Sequence, residues 1–499
     1  MRPERQACGI ERTLHRATLG FPLSAHPLVV DLDGTLIRTD MLHESAIRVL
    51  RDKPWRILLI PRWLAQGKAV LKRRLAQGST FDPATLPYHD ELFDWLKLQR
   101  EQGRRIILCT ASDASFAHAI AAHLGIFDEV MASDGAVNLG GARKAQALEA
   151  RFGAAGFDYA GNSNADLAVW RRARRAVVVQ ASADLAKKVA TLCEVEKVFA
   201  PPRLGPPVWA RVLRLHQWLK NLLLFVPLLA AHQFTDLPAW RALLIAFCSF
   251  SLCASSVYIA NDLFDLESDR QHPRKRQRPF ASGQVPVWMG VVLAPLLLMV
   301  SLLLAQYVGG RFVPWLLLYF LLTCAYSWGL KRLLIVDGLT LAVLYTLRVI
   351  VGAAAAGLAL SFWLLAFSIF LFLSLAFVKR YAELEIQLLR GNQKLHGRGY
   401  YTSDAPLVQA LGITSGYAAV LVLALYLNTD TVVQLYRTPE LVWGELPVML
   451  FWISWMWMQA HRGKMHDDPL IFAIKDKASL MAGVAFAVVF GLSSVGWPW

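Results

Sequence analysis

The sequence is poor in features that mark several common protein classes. Its six cysteines, Cys8, Cys109, Cys193, Cys248, Cys253 and Cys324, form no CxxC pair. No metal or disulfide framework is expected from them, and they fit reduced, buried thiols. Charged residues make up 18% of the 499, against 55% hydrophobic. That excludes a disordered chain and is too apolar for a soluble one. The first twenty residues carry several charges and no apolar run, so no secretory signal is expected there. Acidic residues are the scarcer sign: 37 Asp and Glu face 52 Lys and Arg, a net charge of +15. A basic excess suits nucleic acid or anionic membrane. Here it sits in loops between apolar runs rather than on one soluble face, which excludes nucleic acid and leaves the lipid bilayer as the expected partner.

The chain changes character near residue 205. Before it, short aliphatic runs alternate with helical patterns, as at Leu28-Val29-Val30, Ile106-Ile107-Leu108 and Ala176 to Val179. Such alternation predicts a parallel sheet covered by helices. An extension (1–25), an α/β domain (26–200) and a Pro-rich linker (201–210) are expected in turn. Residues 211–499 then hold nine apolar runs, near 212–232, 240–261, 288–309, 312–329, 334–357, 361–378, 406–427, 441–460 and 479–497. Each is close to the roughly 20 residues needed to cross hydrocarbon. The expected architecture is therefore an all-α transmembrane bundle of about nine helices behind an α/β domain. One set of connecting loops carries sixteen Lys and Arg and the other only Arg311 and Arg437. The positive-inside rule puts the N-terminal domain and the basic loops in the cytoplasm, on the inner membrane, with Trp497 and Trp499 at the outer interface.

At 29–35 the sequence reads Val-Val-Asp31-Leu-Asp33-Gly34-Thr35. Two carboxylates two residues apart share one face of a strand. One can attack phosphorus and the other protonate the leaving oxygen. Acids so close repel unless a cation such as Mg²⁺ lies between them. Further on come Leu108-Cys109-Thr110, then Lys144, then Gly161-Asn162-Ser163-Asn164-Ala165-Asp166. In that order these motifs resemble the haloacid dehalogenase (HAD) phosphohydrolases. The resemblance implies a Rossmann-like parallel sheet with a small helical cap at about 41–85. It makes Asp31 the nucleophile and Asp33 the acid/base, both touching one Mg²⁺ with help from Asp166, while Thr110 and Lys144 hold phosphoryl oxygens. Asn162 stands where that family usually has Asp, which leaves a non-catalytic domain as an alternative. The cap segment, Pro54 to Arg74, sets Trp55 and Trp63 among Arg and Lys. That pattern suits a cap resting on the bilayer, and equally a cap helix packed on its own core.

In the membrane half, Asn261-Asp262-Leu-Phe-Asp265-Leu-Glu-Ser-Asp269 puts three carboxylates at i, i+3 and i+7, one stripe of a helix. Hard oxygen ligands at a membrane edge suit Mg²⁺ bridging a diphosphate. The basic run His272 to Pro279 follows at once and can hold phosphate oxygens. This half resembles the UbiA superfamily of intramembrane prenyltransferases. Members that prenylate quinone-type rings carry a second Asp-rich loop, where this chain has Lys379-Arg380-Tyr381-Ala382-Glu383-Leu384-Glu385. That departure resembles the branch that makes polyprenyl-phosphoryl-ribose 5-phosphate, as do Gln217-Trp218-Leu219-Lys220-Asn221, Tyr345 to Arg348 and His466-Asp467-Asp468-Pro469.

The resemblance implies that phosphoribosyl diphosphate and a polyprenyl phosphate are substrates, with one or two Mg²⁺ held by Asp262, Asp265 and Asp269. Asp262 and Asp265 would carry the catalysis and Asn261 and Asn221 would border the substrates. Lys220, Lys275, Arg278, Lys379 and Arg380 are candidate phosphate clamps, and Tyr381 and Glu383 candidate ribose or cation positioners. Arg348 falls inside an apolar run, where a charge costs roughly 2.5–3.5 kcal/mol or more, so a functional partner is expected. The HAD domain would remove the 5-phosphate that transfer leaves on ribose. An aromatic prenyltransferase using a prenyl diphosphate is the rival reading, and a homo-oligomer is compatible with either.

Overall fold

The computed structural model describes residues 26–79, 81–395, 397–429, 436–465 and 468–495. The expected extension 1–25, His466, Asp467, Trp497 and Trp499 lie outside the described residues. The chain divides into two compact units, Met1–Arg203 and Leu204–Trp499. The division falls within the expected linker, and a short helix, Pro206–Val212, begins just after it.

The first unit is a six-stranded parallel sheet: β1 (Leu28–Val30), β2 (Ile106–Asp113), β3 (Glu129–Ser133), β4 (Asp158–Gly161), β5 (Arg175–Val179) and β6 (Glu194–Phe199), in the order β3-β2-β1-β4-β5-β6. Successive residues of β1 and β2 face opposite apolar layers. Leu28, Val30, Ile106 and Leu108 pack on one side, and Val29, Ile107 and Cys109 on the other. Burial on both faces is why these strands read as continuous apolar runs. The chain runs outward from β1 to β2 and β3, then returns on the far flank of β1 with β4. Ligand sites in such sheets lie at the carboxyl ends of the strands where the order reverses. Helices Met41–Asp52, Ile60–Ala65 and Lys68–Gln77, inserted between β1 and β2, form the cap.

The second unit is helical: α1 (Leu237–Phe264), α2 (Val287–Val308), α3 (Phe312–Trp328), α4 (Val336–Ala356), α5 (Phe362–Leu389), α6 (Ala405–Leu427), α7 (Glu445–His461) and α8 (Lys477–Val495). Seven of these, α6 and α7 with the turns leading into them, are long and apolar enough to cross a membrane, and α3 has 17 residues. This corrects the expectation of nine continuous spans. The first apolar run, 212–232, is not one helix. It is divided among Pro206–Val212, Leu215–Trp218, a 3-10 turn at Leu219–Phe225, and Val226–Ala230, with Arg214 left-handed at φ 51°. Its polar content accounts for the break. Lys220 and Asn221 are buried and bonded to other elements, and Pro227 brings no amide hydrogen to the ladder. Irregular backbone at membrane depth is tolerated where protein rather than lipid surrounds it. Gly352 of α4 makes room for it: a Cβ there would stand 2.0 Å from the Leu224 carbonyl oxygen.

Candidate functional site

In the first unit, the carboxyl ends of β1, β2 and β4 converge. Asp31 follows β1 and is buried. Lys144 Nζ donates to its Oδ1 at 2.6 Å, and Thr35 Oγ1 lies 3.5 Å from Oδ2. Asp33 accepts from the Met41 amide at 2.9 Å and from Ser112 Oγ at 2.6 Å, with Thr110 Oγ1 at 3.5 Å. Burial pushes the Asp31 carboxyl up to about 7, against the pull of Lys144. Burial, then Asp40, pushes Asp33 up to about 6. For Lys144 burial works the other way, but Asp31, Cys109 and Asp166 together outweigh it and hold the ammonium above its usual range. An acid near 6 can give up a proton near neutral pH.

Asp166, the expected metal helper, is held by donors of the chain itself. Its Oδ1 accepts from Tyr159 OH at 2.7 Å, and its Oδ2 accepts from the Asn162 and Ser163 amides and Ser163 Oγ. Asp166 thus orients Tyr159, whose hydroxyl accepts from Lys144 at 3.0 Å. Asn162 packs its side-chain amide against Gly34, where a Cβ would lie 2.1 Å away. Gly34 has φ +73°, so the turn after Asp33 needs glycine twice over. Sequence reasoning missed Ser112 and Tyr159. Ser112 lies two residues beyond Thr110 on the same strand and so was findable by alternation. A tyrosine in a buried strand reads only as core.

In the second unit, α1 ends at Phe264, Asp265 caps it, and a separate short helix, Leu266–Gln271, carries Asp269. The acidic row is therefore not one continuous stripe. Asp262 and Asp269 are buried and share Arg278, whose Nη1 donates to Asp262 Oδ1 at 3.0 Å and to Asp269 Oδ2 at 2.6 Å. Arg214, which no pattern had singled out, also donates to Asp262, and its left-handed backbone turns it there. Asp265 stands apart from this pair. It accepts from Asn261 Nδ2 at 3.1 Å, with Lys331 Nζ 3.9 Å away.

Among the described residues no group of three or more His, Cys, Asp and Glu is placed to hold a metal ion. A cage of three aspartates is thus corrected to a pair. The pair still suits Mg²⁺, which is commonly held by one or two carboxylates plus substrate phosphates. Asp269 Oδ1 is buried with no hydrogen bond, and Lys275 Nζ stands 3.9 Å off. Burial pushes that carboxyl up against the pull of Arg278. Asp31 and Asp33 fit a cation on the same ground: they are buried acids whose negative charge is incompletely offset.

A second grouping surrounds Asp468. Lys220 Nζ reaches its Oδ2 at 2.7 Å, Lys379 Nζ reaches it at 3.3 Å, and Tyr345 OH donates to the same carboxylate. Tyr345, Lys379 and Asp468 line a small cavity with Leu341, Leu375 and Leu470. Arg348 is buried beside them. Its Nε donates to Asn221 Oδ1 at 3.0 Å, and its guanidinium lies over the rings of Phe250, Tyr319 and Tyr345. Asn221 donates in turn to Ser251 Oγ. The arginine is thus partnered by the chain itself and fixes the broken first segment against α4.

Arg380, Glu383 and Tyr381 do not join this grouping. Arg380 is fully buried and gives its guanidinium to Asp337, Glu383 and Tyr326. Arg398 pairs with the same two acids. The network occupies the Arg380 guanidinium and the Glu383 carboxylate within the chain. Arg380 follows Lys379 directly, and successive helical residues point about 100° apart, while Glu383, one turn on, is drawn to Arg380 and Arg398. Tyr381 is bonded to His461 at 2.9 Å and opens on a different hollow, with Glu385 and Gln409.

A model of the UbiA prenyltransferase family matches residues 222–480. The chain belongs to the UbiA prenyltransferase family. The haloacid dehalogenase-like hydrolase model matches residues 28–171 of this UbiA-family chain, so the first unit is HAD-like. Among relatives, the uncharacterized protein y4nM of Sinorhizobium fredii is 37% identical over 467 residues, 93% of this chain and 90% of its own. Nodulation protein NoeC of Azorhizobium caulinodans is 38% identical over 288 residues, 56% of this chain and 92% of its own. The decaprenyl-phosphate phosphoribosyltransferase of Mycolicibacterium smegmatis is 36% identical over 216 residues, 41% of this chain and 67% of its own.

Proposed function

We propose that the UbiA half transfers 5-phosphoribose from phosphoribosyl diphosphate to a polyprenyl phosphate, and that the HAD half then removes the 5-phosphate, leaving a polyprenyl-phosphoryl-ribose. The observation that carries the transfer reading is the pair of separate cationic groupings in the helical unit. Arg214, Lys275 and Arg278 gather at Asp262 and Asp269, while Lys220 and Lys379 gather at Asp468. Two cationic seats suit two phosphate-bearing substrates. A prenyl diphosphate with a neutral aromatic ring needs one. The name of the mycobacterial relative agrees with this reading.

Mg²⁺ held by Asp262 and Asp269 would supply positive charge to the departing diphosphate. The chain's own part is to align two anions and absorb charge. Arg278 and Arg214 can exchange a carboxylate for diphosphate oxygens, and Lys220 and Lys379 can exchange Asp468 for the lipid phosphate. The attacking phosphate is already anionic, so no strong base is required. In the HAD half, Asp31 would attack the 5-phosphate while Asp33 protonates the departing ribose oxygen, and a water deprotonated by Asp33 would then cleave the phosphoryl group from Asp31 as free phosphate. Both sites and the basic loops would lie on the cytoplasmic face.

The test is mass spectrometry of lipid products from purified protein, Mg²⁺, polyprenyl phosphate and phosphoribosyl diphosphate. The wild type should release the dephosphorylated lipid. Asp31→Asn should accumulate the 5-phosphorylated lipid while transfer continues. Normal release of the dephosphorylated lipid by that variant would remove the phosphatase role, and transfer to a phenolic acceptor instead would remove the phosphoribosyl reading.

A further inference from the structure

The cap segment Pro54–Ala65 exposes more apolar surface than its packing explains. None of its residues is fully buried. Ile60 and Trp63 pack against a small cluster of Val49, Leu71 and Leu75. That contact accounts for one side of the segment. On the other, Trp55 is 59% exposed, Ile57 48%, Leu58 78% and Leu64 50%. These are four large apolar side chains within ten residues that the described residues leave about half or more exposed.

The charge around the patch has one sign. Between residues 51 and 74 stand Arg51, Lys53, Arg56, Arg62, Lys68, Lys72, Arg73 and Arg74 against a single acid, Asp52. Arg51 pairs with that acid, and Lys72 and Arg73 turn inward to the Ala111 and Asp134 carbonyls. Lys53, Arg62, Lys68 and Arg74 remain exposed, and the Arg56 guanidinium lies 5.6 Å from the Trp55 ring centre. Apolar side chains with an aromatic among them, ringed by Lys and Arg, are what an anionic lipid interface binds. The same chain carries seven helices long and apolar enough to cross a membrane, which makes a bilayer the lipid surface to consider.

We propose that residues 54–65 dock the cap into the headgroup region of an anionic bilayer. Trp55, Leu58 and Leu64 enter the interface and the exposed basic residues meet lipid phosphates. The patch is joined to the phosphatase centre through the next helix. Its Lys72 donates to the Ala111 carbonyl at 2.6 Å, between Thr110 and Ser112, which both face Asp33. Docking therefore holds the entrance to Asp31 at the depth of a lipid-borne phosphate.

The experiment places a photoreactive benzoylphenylalanine at Leu58 of the full chain, and separately at Leu98, a 53% exposed position outside the cap. Each protein is reconstituted in nanodiscs of phosphatidylcholine with phosphatidylglycerol and irradiated, and adducts are read by mass spectrometry. The expected result is a lipid adduct at 58, at least fivefold above that at 98, falling severalfold in phosphatidylcholine alone. A protein adduct at 58, within the chain or between copies, overturns the proposal in favour of a protein-covered patch. Absence of any adduct at 58 overturns it in favour of a patch facing water. Equal lipid yield in neutral discs overturns the electrostatic half. No outcome depends on turnover, so failure here is distinct from failure of either assigned reaction.

Discussion

Residue by residue, the HAD centre was largely written in the sequence. Asp31 and Lys144, 113 positions apart, meet within 2.6 Å, because ordered motifs at strand ends fix where side chains arrive. What the motifs did not give was the wiring between them. Tyr159 relays Asp166 to Lys144 and has no polar signature in its strand. The raised carboxyls carry a pH prediction. The cation-free fold retains protons on Asp31 and Asp33 that an unfolded chain has released between about pH 4 and their folded values near 7 and 6. Their stabilising effect is complete below about pH 4 and is lost as pH rises through that window. Mg²⁺ must displace those protons, so it binds better at higher pH. The Mg²⁺-induced rise in melting temperature over EDTA should be several degrees larger at pH 7.5 than at 5.5, and smaller in Asp31→Asn/Asp33→Asn, where only the Asp262–Asp269 pair remains to bind the ion. At the transferase end, Arg278 holds two carboxylates at once, which a lysine point charge cannot match. Losing charge-assisted bonds of about 1.5–3 kcal/mol should raise KM for phosphoribosyl diphosphate roughly 10- to 100-fold in Arg278→Lys. Steady-state transfer with labelled substrate checks this.

Among elements, the long apolar helices were legible from length and hydropathy alone, since about 20 apolar residues have few other uses. The first segment was not. Its apolar count matched a span, but Lys220 and Asn221 are spent on Asp468, Ser251 and Arg348, and the helix breaks to deliver them. The acidic row failed for the same reason in reverse: its spacing is helical, yet the helix stops at Asp265 and sends the middle carboxylate elsewhere. The broken segment's dependence on Gly352 is testable. Gly352→Ala adds a methyl 2.0 Å from a carbonyl oxygen, an overpacking that costs about 1–3 kcal/mol. It should lower the thermal midpoint and reduce transfer by displacing Lys220, while phosphate-ester hydrolysis by the HAD half stays within twofold of wild type.

On the scale of the whole molecule, the composition changes near residue 205 and the chain divides into compact units between Arg203 and Leu204. The match to y4nM spans 93% of the chain, so the pairing of the two halves recurs in that relative. The first unit has its own sheet and two apolar layers. Residues 26–203 produced alone should therefore fold, with a cooperative melt, and hydrolyse p-nitrophenyl phosphate in Mg²⁺. An insoluble fragment would mean that the halves complete one another's core. The clusters of the membrane half bear on how a charged ligand would enter it. Arg278 sits between two acids, and Asp468 between two lysines. Each of these cations already has a carboxylate partner in the chain, so a ligand's phosphate competes with Asp262, Asp269 or Asp468 for it. Occupancy must start as a swap of partners, and only ligands bringing their own matching charge can drive the trade.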